Sequence, residues 1–158
     1  MQIIRLSNRL MAVAGFIEHG AAVIDVGTDH GYLPVYLAQT GKAVRIIASD
    51  KSAGSLEAAR RSAEKYGVSD LIEFIVAPGL TGISEKDVDT IVIAGVGGET
   101  IAAILEETPW SKNSKRLILQ PQTKKELLIK YLCENGYGIQ VSAAAQDKNR
   151  NYTLFLVY

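Results

Sequence analysis

Short apolar runs alternate with helical patterns along the chain. After Ser7, Leu10, Val13 and Ile17 recur at spacings of three and four, predicting a first helix that Ser7 caps and Gly20 ends. Strand-like runs follow at Ala22–Val26, Val44–Ser49, Ile72–Ala77, Thr90–Ala94 and Arg116–Gln120. Between them lie helical patterns at Leu33–Gln39, Ala53–Tyr66 and Thr100–Glu107, and another follows at Glu126–Asn135. Thr123-Lys-Lys-Glu126 reads as a capping box for that last helix and Gly136 as its stop. Two final runs, Ile139–Ala143 and Tyr152–Tyr158, flank polar Gln146-Asp-Lys-Asn-Arg-Asn151 and predict a hairpin. The repeated β-α-β order predicts a parallel sheet with right-handed crossovers, and the hairpin turns the last strand antiparallel to its neighbour.

Ligands of such sheets bind beyond the carboxyl ends of the strands. After the first strand, Asp25-Val-Gly27-Thr28-Asp29-His30-Gly31 forms a turn in which glycines let a ligand approach the backbone, and the next helix aims its free N–H groups at that ligand. The glycines are spaced G-x-x-x-G, unlike the G-x-G-x-x-G of nicotinamide dinucleotide sites, so the turn points to another adenosine-type cofactor. Asp50, at the end of the second strand, can accept from both ribose hydroxyls; it can equally cap the following helix. A second cluster, Ala94-Gly95-Val96-Gly97-Gly98, reads either as part of the ligand loop or as close strand-to-helix packing.

Composition narrows the classes further. The 158 residues are 47% hydrophobic and 22% charged, enough for one domain with a real core. With 17 basic and 17 acidic residues, any nucleic-acid contact must come from local patches. Candidates at the ligand end are Lys124 and Lys125 after the fifth strand and Lys148 and Arg150 in the hairpin; Arg60-Arg61 reads as ordinary surface. The lone Cys133 reads as a buried core thiol, and His19 and His30 are too isolated for a metal site. No run is long enough to span a bilayer and the start lacks a signal-peptide layout, so the cytoplasm is the expected location. Neither a P-loop nor a G-x-S-x-G elbow occurs.

Four collinear motifs, Leu6-Ser-Asn-Arg-Leu10, Asp25-Val-Gly-Thr-Asp-His-Gly-Tyr-Leu-Pro34, Ile91-Val-Ile-Ala-Gly-Val-Gly-Gly98 and Leu117-Ile-Leu-Gln-Pro121, resemble the bacterial tRNA (adenine-22-N1)-methyltransferases. The resemblance implies a Rossmann-like class I methyltransferase fold: an α/β domain with about seven mostly parallel strands, an antiparallel last strand and helices on both faces. It also implies methyl transfer from S-adenosylmethionine to N1 of adenine 22 in tRNA. Another class I methyltransferase, or a catalytically weak cofactor-binding domain, are the alternatives. Carried over by position, Asp25, Gly27, Thr28 and Gly31 form the cofactor turn, and Asp50 with Lys51 meets the ribose. Pro78, Gly79 and Leu80 lie beside the adenine, while Ala94 and Gly95 line the methionine end.

On the substrate side, Asp29 is the expected catalytic residue, orienting the adenine edge or stabilising its developing charge; the alternative for it is a helix N-cap. His30 and Tyr32 would contact a displaced base or else belong to the core, Gln120 would hydrogen-bond that base, Arg9 would reach over from the first helix, and Lys124 and Arg150 would meet phosphates or else form ordinary solvated surface. Two positions depart from the family pattern. Ala77-Pro78-Gly79-Leu80 replaces Gly-Asp-Gly-Leu, removing a carboxylate expected beside the adenine amino group, and Val96 replaces a methionine. The family's further C-terminal coiled-coil domain is missing from residues 1–158, which implies weak tRNA binding.

Overall fold

The computed structural model describes residues 2–158, apart from the side chain of Val141. One seven-stranded sheet forms the middle layer, in the order β3-β2-β1-β4-β5-β7-β6. Its strands are β1 (Ala21–Val26), β2 (Ala43–Asp50), β3 (Glu73–Val76), β4 (Thr90–Val96), β5 (Arg116–Pro121), β6 (Ile139–Asp147) and β7 (Arg150–Val157). β1 to β5 pair in parallel, and β7 inserts antiparallel between β5 and β6. The helices are α1 (Asn8–Gly15), α2 (Tyr32–Thr40), α3 (Ala53–Lys65), α4 (Gly98–Glu106) and α5 (Lys125–Glu134). The expected Rossmann-like methyltransferase architecture is therefore observed. None of these helices is long and apolar enough to cross a membrane.

The pleat sorts the central strands into two cores, because successive side chains leave opposite faces. Val23, Val92 and Ile118 join Leu33, Val35 and Leu37 of α2 on one face. Ile24, Ile91, Ile93, Leu117 and Leu119 join Ile101 and Leu105 of α4 and Leu128 and Leu132 of α5 on the other. Burial of each such Leu or Ile contributes roughly 1.5–3 kcal/mol. The same alternation sends Asp25, Ala94 and Gln120, at the carboxyl ends of three adjacent strands, toward the α1 side.

Several local expectations are corrected. α1 stops at Gly15, five residues before the expected Gly20 terminator, although Ser7 caps it as expected by accepting from the Leu10 N–H at 3.2 Å. Cys133 is exposed: α5 buries only the stripe containing Leu128 and Leu132, and the next position turns outward. The Thr123–Glu126 capping box does not form. Lys124 instead adopts a left-handed conformation at φ 53° with no side-chain cap, because tertiary contacts fix this loop.

Those contacts come from the end of β4 and the start of α4. Gly98 N–H donates to Thr123 O at 2.7 Å, and Gln122 N–H donates to Val96 O at 2.7 Å. A Cβ on Gly98 would lie 2.3 Å from the Lys124 carbonyl oxygen, so the glycine cluster is there in part for strand-to-helix packing. Gly98→Ala should therefore cost about 2–4 kcal/mol, since backbone must move. The expected result is a melting temperature lowered by roughly 5–15 °C, measured by calorimetry; an unchanged midpoint would show that the loop relaxes freely.

Candidate active site

The carboxyl ends of β1, β2 and β4 border a cleft of about 550 Å3, roofed by the start of α1. Its walls include Arg9, Asp25, Gly27, Thr28, Asp29, His30, Tyr32, Asp50, Ala94 and Gly95. Most of the residues expected for cofactor and base thus converge in one cavity. The β1–α2 turn is built by positive φ at Gly27 (71°), Asp29 (55°) and Gly31 (72°). At Gly31 space matters as well, since a Cβ would meet the Ala59 Cβ at 2.7 Å where α2 crosses α3. The Gly27 and Thr28 N–H groups both donate to Ser49 O at 2.9 Å, fastening the turn to β2.

Asp50 holds the next corner. Its Oδ2 accepts from the Asp29 N–H at 3.1 Å and its Oδ1 from the Ser52 N–H at 2.9 Å. Each carboxylate oxygen keeps a lone pair for a vicinal diol. Capping of α3 falls to Ser52, whose hydroxyl accepts from the Ser55 N–H at 3.2 Å. α2 opens at Gly31 with no side-chain cap, leaving first-turn donors for a ligand. These groups fit an adenosine-type cofactor.

Asp25 is the buried charge of the site. Thr28 Oγ1 donates to its Oδ2 at 2.9 Å. Burial pushes its carboxyl up to about 7, against the lowering effects of the Thr28 hydrogen bond and the Arg9 charge, with nearby Asp50 raising it further. Arg9 comes from α1, where Asp147 of β6 caps the helix alongside Ser7: Asp147 Oδ1 accepts from the Asn8 N–H at 2.9 Å and Oδ2 from the Arg9 N–H at 2.7 Å. The Arg9 guanidinium donates to Gln120 Oε1 at 3.0 Å and lies 5.9 Å from the Tyr152 ring centroid.

Gln120 is not placed to meet a substrate. Its side chain is fully buried, its Oε1 also accepts from the Gly95 N–H at 3.0 Å, and its Nε2 donates to Pro121 O at 3.0 Å. It positions the Ala94–Gly95 wall. Asp29 is not a helix cap either, since Gly31 takes that place. The Asp29 carboxylate stands at the lip, 72% exposed, 4.0 Å from His30 Nε2. His30 stacks on Tyr32 with ring centroids 5.4 Å apart.

Other expected residues lie apart. Lys51 and Pro78 are exposed outside the cleft. Leu80 is buried in the core beside Ile83 and Ile101, and with Gly79 lines a separate depression near Ile104 and Trp110. The loop still reaches Asp50 through Ala77 N–H, which donates to Asp50 O at 3.0 Å. Lys124 and Arg150 share a neighbouring depression with Tyr152. Sequence reasoning missed Arg5, Asp147 and Tyr152. Only Asp147 carried a local signal, as the residue before a Lys148-Asn149 turn with both φ positive, at 46° and 67°.

Known proteins share this fold. A methyltransferase domain model matches residues 6–155. The Bacillus subtilis (strain 168) tRNA (adenine(22)-N(1))-methyltransferase is 34% identical over 157 residues, covering 99% of this chain and 66% of that protein. A Streptococcus pneumoniae structure in complex with S-adenosyl-L-methionine superposes with a TM-score of 0.91 at 35% identity, covering 97% of this chain and 72% of that one. Mycoplasma capricolum TrmK bound to S-adenosyl-homocysteine gives 0.85 at 30% identity, covering 96% and 68%. The chain spans about two thirds of the length of these relatives. By the domain match and by these likenesses over nearly all of its own residues, the chain belongs to the methyltransferase domain family, among the bacterial tRNA (adenine-22-N1)-methyltransferases.

Proposed function

We propose that the chain transfers a methyl group from S-adenosylmethionine to N1 of adenine 22 in tRNA. The observation that carries this reading is the single cleft in which Asp50, the uncapped α2 start, Asp25 and Arg9 meet the exposed Asp29-His30-Tyr32 lip. One side fits a nucleoside cofactor and the other a base.

The cofactor supplies an electrophilic methyl group on sulfur. Asp50 would hold its ribose diol, and the Gly27 and Gly95 backbone would let it lie close to the strand ends. A cationic ligand in the cleft favours the ionised form of Asp25, whose proton then leaves to solvent. The adenine N1 lone pair needs no base to attack, so alignment is the chief demand, with roughly 7–11 kcal/mol as the ceiling for such positioning. Asp29 would accept from the adenine N6 amino group and offset the positive charge that grows on the ring. The His30–Tyr32 stack, with ring centroids 5.4 Å apart, would receive a displaced base. Lys124 and Arg150 would contact phosphates. We further infer a location in the cytoplasm, where tRNA is modified.

Labelled-methyl assays should show incorporation into tRNA, abolished when adenine 22 is replaced by guanine; persisting signal would overturn the assigned target. Asp29→Ala should lower turnover by about 10–1000-fold with little change in S-adenosyl-homocysteine affinity, and full turnover would remove Asp29 from the chemistry. Asp25 gives a pH test. Its folded-state value lies above the usual 3.8, so the native state binds the extra proton and stability falls as pH rises from about 4 to about 7. Asp25→Asn keeps an acceptor for Thr28 and removes the buried charge. The variant should gain stability relative to wild type between pH 5 and pH 8 in thermal melts; a gap independent of pH would refute the assignment.

A further inference from the structure

We propose that the groove between the N-terminal segment and α3, walled by Arg5, Tyr32, Lys65 and Tyr66, is a backbone track for RNA that continues the cleft on the side away from Lys124 and Arg150. This rests on the tRNA reading above and extends it to the path of the chain flanking the target base.

The groove and one further depression adjoin the central cleft. The groove, of about 330 Å3, shares Arg5 and Tyr32 with the central cleft. On the opposite flank, the depression holding Lys124, Arg150 and Tyr152 meets the cleft where Arg9 stands over the Tyr152 ring. Each boundary therefore carries one arginine and one tyrosine. Cations interleaved with aromatic faces are the pattern that holds a single strand, the charges taking phosphates and the rings taking bases.

The groove is also free to take an anion. Among the described residues, neither Arg5 nor Lys65 forms an ion pair, and the Lys65 ammonium rests 5.6 Å from the Tyr66 ring centroid. The depression at the other pole of the sheet, although of about 450 Å3, is different. There Arg116 pairs with Glu18, and Lys115 donates to backbone carbonyls, including Val88 O at 2.8 Å. On α3, Ser62 and Lys65 share the groove wall, whereas the acids Glu57 and Glu64, seven residues apart, fall on the far side of the helix. A chain of zero formal charge thus presents an acid-free strip to one side of its cleft.

The test uses the 158-residue chain with fluorescein-labelled tRNA in anisotropy titrations across a salt series. Arg5→Ala with Lys65→Ala should weaken binding about fivefold per lost phosphate contact near 0.1 M salt, and should flatten the slope of log affinity against log salt by roughly 0.7–0.9 per contact. With Lys65→Ala alone, which lies outside the central cleft, KM for tRNA should rise while kcat and S-adenosyl-homocysteine affinity hold. Ser62→Glu, which puts a carboxylate in the groove, should weaken tRNA further, and Lys86→Ala, in the loop before β4, should change nothing. Wild-type affinity and slope in the groove variants would overturn the track while leaving the tRNA reading standing. A wild-type chain that binds S-adenosyl-homocysteine but shows no tRNA-dependent anisotropy would overturn both.

Discussion

A carboxylate withdrawn from water at the end of an apolar strand must be neutralised or answered by nearby charge and hydrogen bonds. Asp25 is that group, and the ligand face is organised by what answers it. Thr28 holds one oxygen from inside the β1–α2 turn, which ties the shape of the turn to the state of the acid. Arg9 supplies the positive charge from a different layer, and so requires α1 to lie over the sheet ends. Its guanidinium in turn grips Gln120, whose amide holds Gly95, so that the walls from β1, β4 and β5 share one polar network. Buried networks of this kind specify a unique arrangement when every member is satisfied, and here Gln120 has partners for both its oxygen and its nitrogen.

The layer architecture was legible because it rests on local signals. Strands buried on both faces read as continuous apolar runs, and the β-α-β order leaves few topologies open. The cofactor turn was legible for the same reason, since Gly27, Gly31 and Asp50 are constrained by their own backbone or by the strand they end. What escaped the sequence depends on contacts between distant residues. Arg9 was expected to reach over from the first helix, but its partners Gln120 and Asp147, both more than a hundred residues away, left no mark in the local sequence. Gln120 looked like a substrate ligand because strand ends face the cleft, yet the pleat and the α1 layer close it off. The Thr123–Glu126 motif failed as a cap because Gly98 had already claimed the Thr123 carbonyl.

The Ala77–Leu80 loop shows how a departure from a family pattern can leave the rest of a site intact. Pro78 removes a side chain, but the backbone link from Ala77 to Asp50 does not depend on one. The anchoring of the loop at Asp50 is therefore independent of the side chain at position 78.

The capping of α1 by Asp147 has a dynamic consequence. The helix lies near the beginning of the chain and the carboxylate in the closing hairpin, so two segments separated by almost the whole sequence share their hydrogen bonds across the mouth of the cleft. Loosening either segment removes the partners of the other, so these hydrogen bonds couple the opening of the roof to that of the hairpin tip.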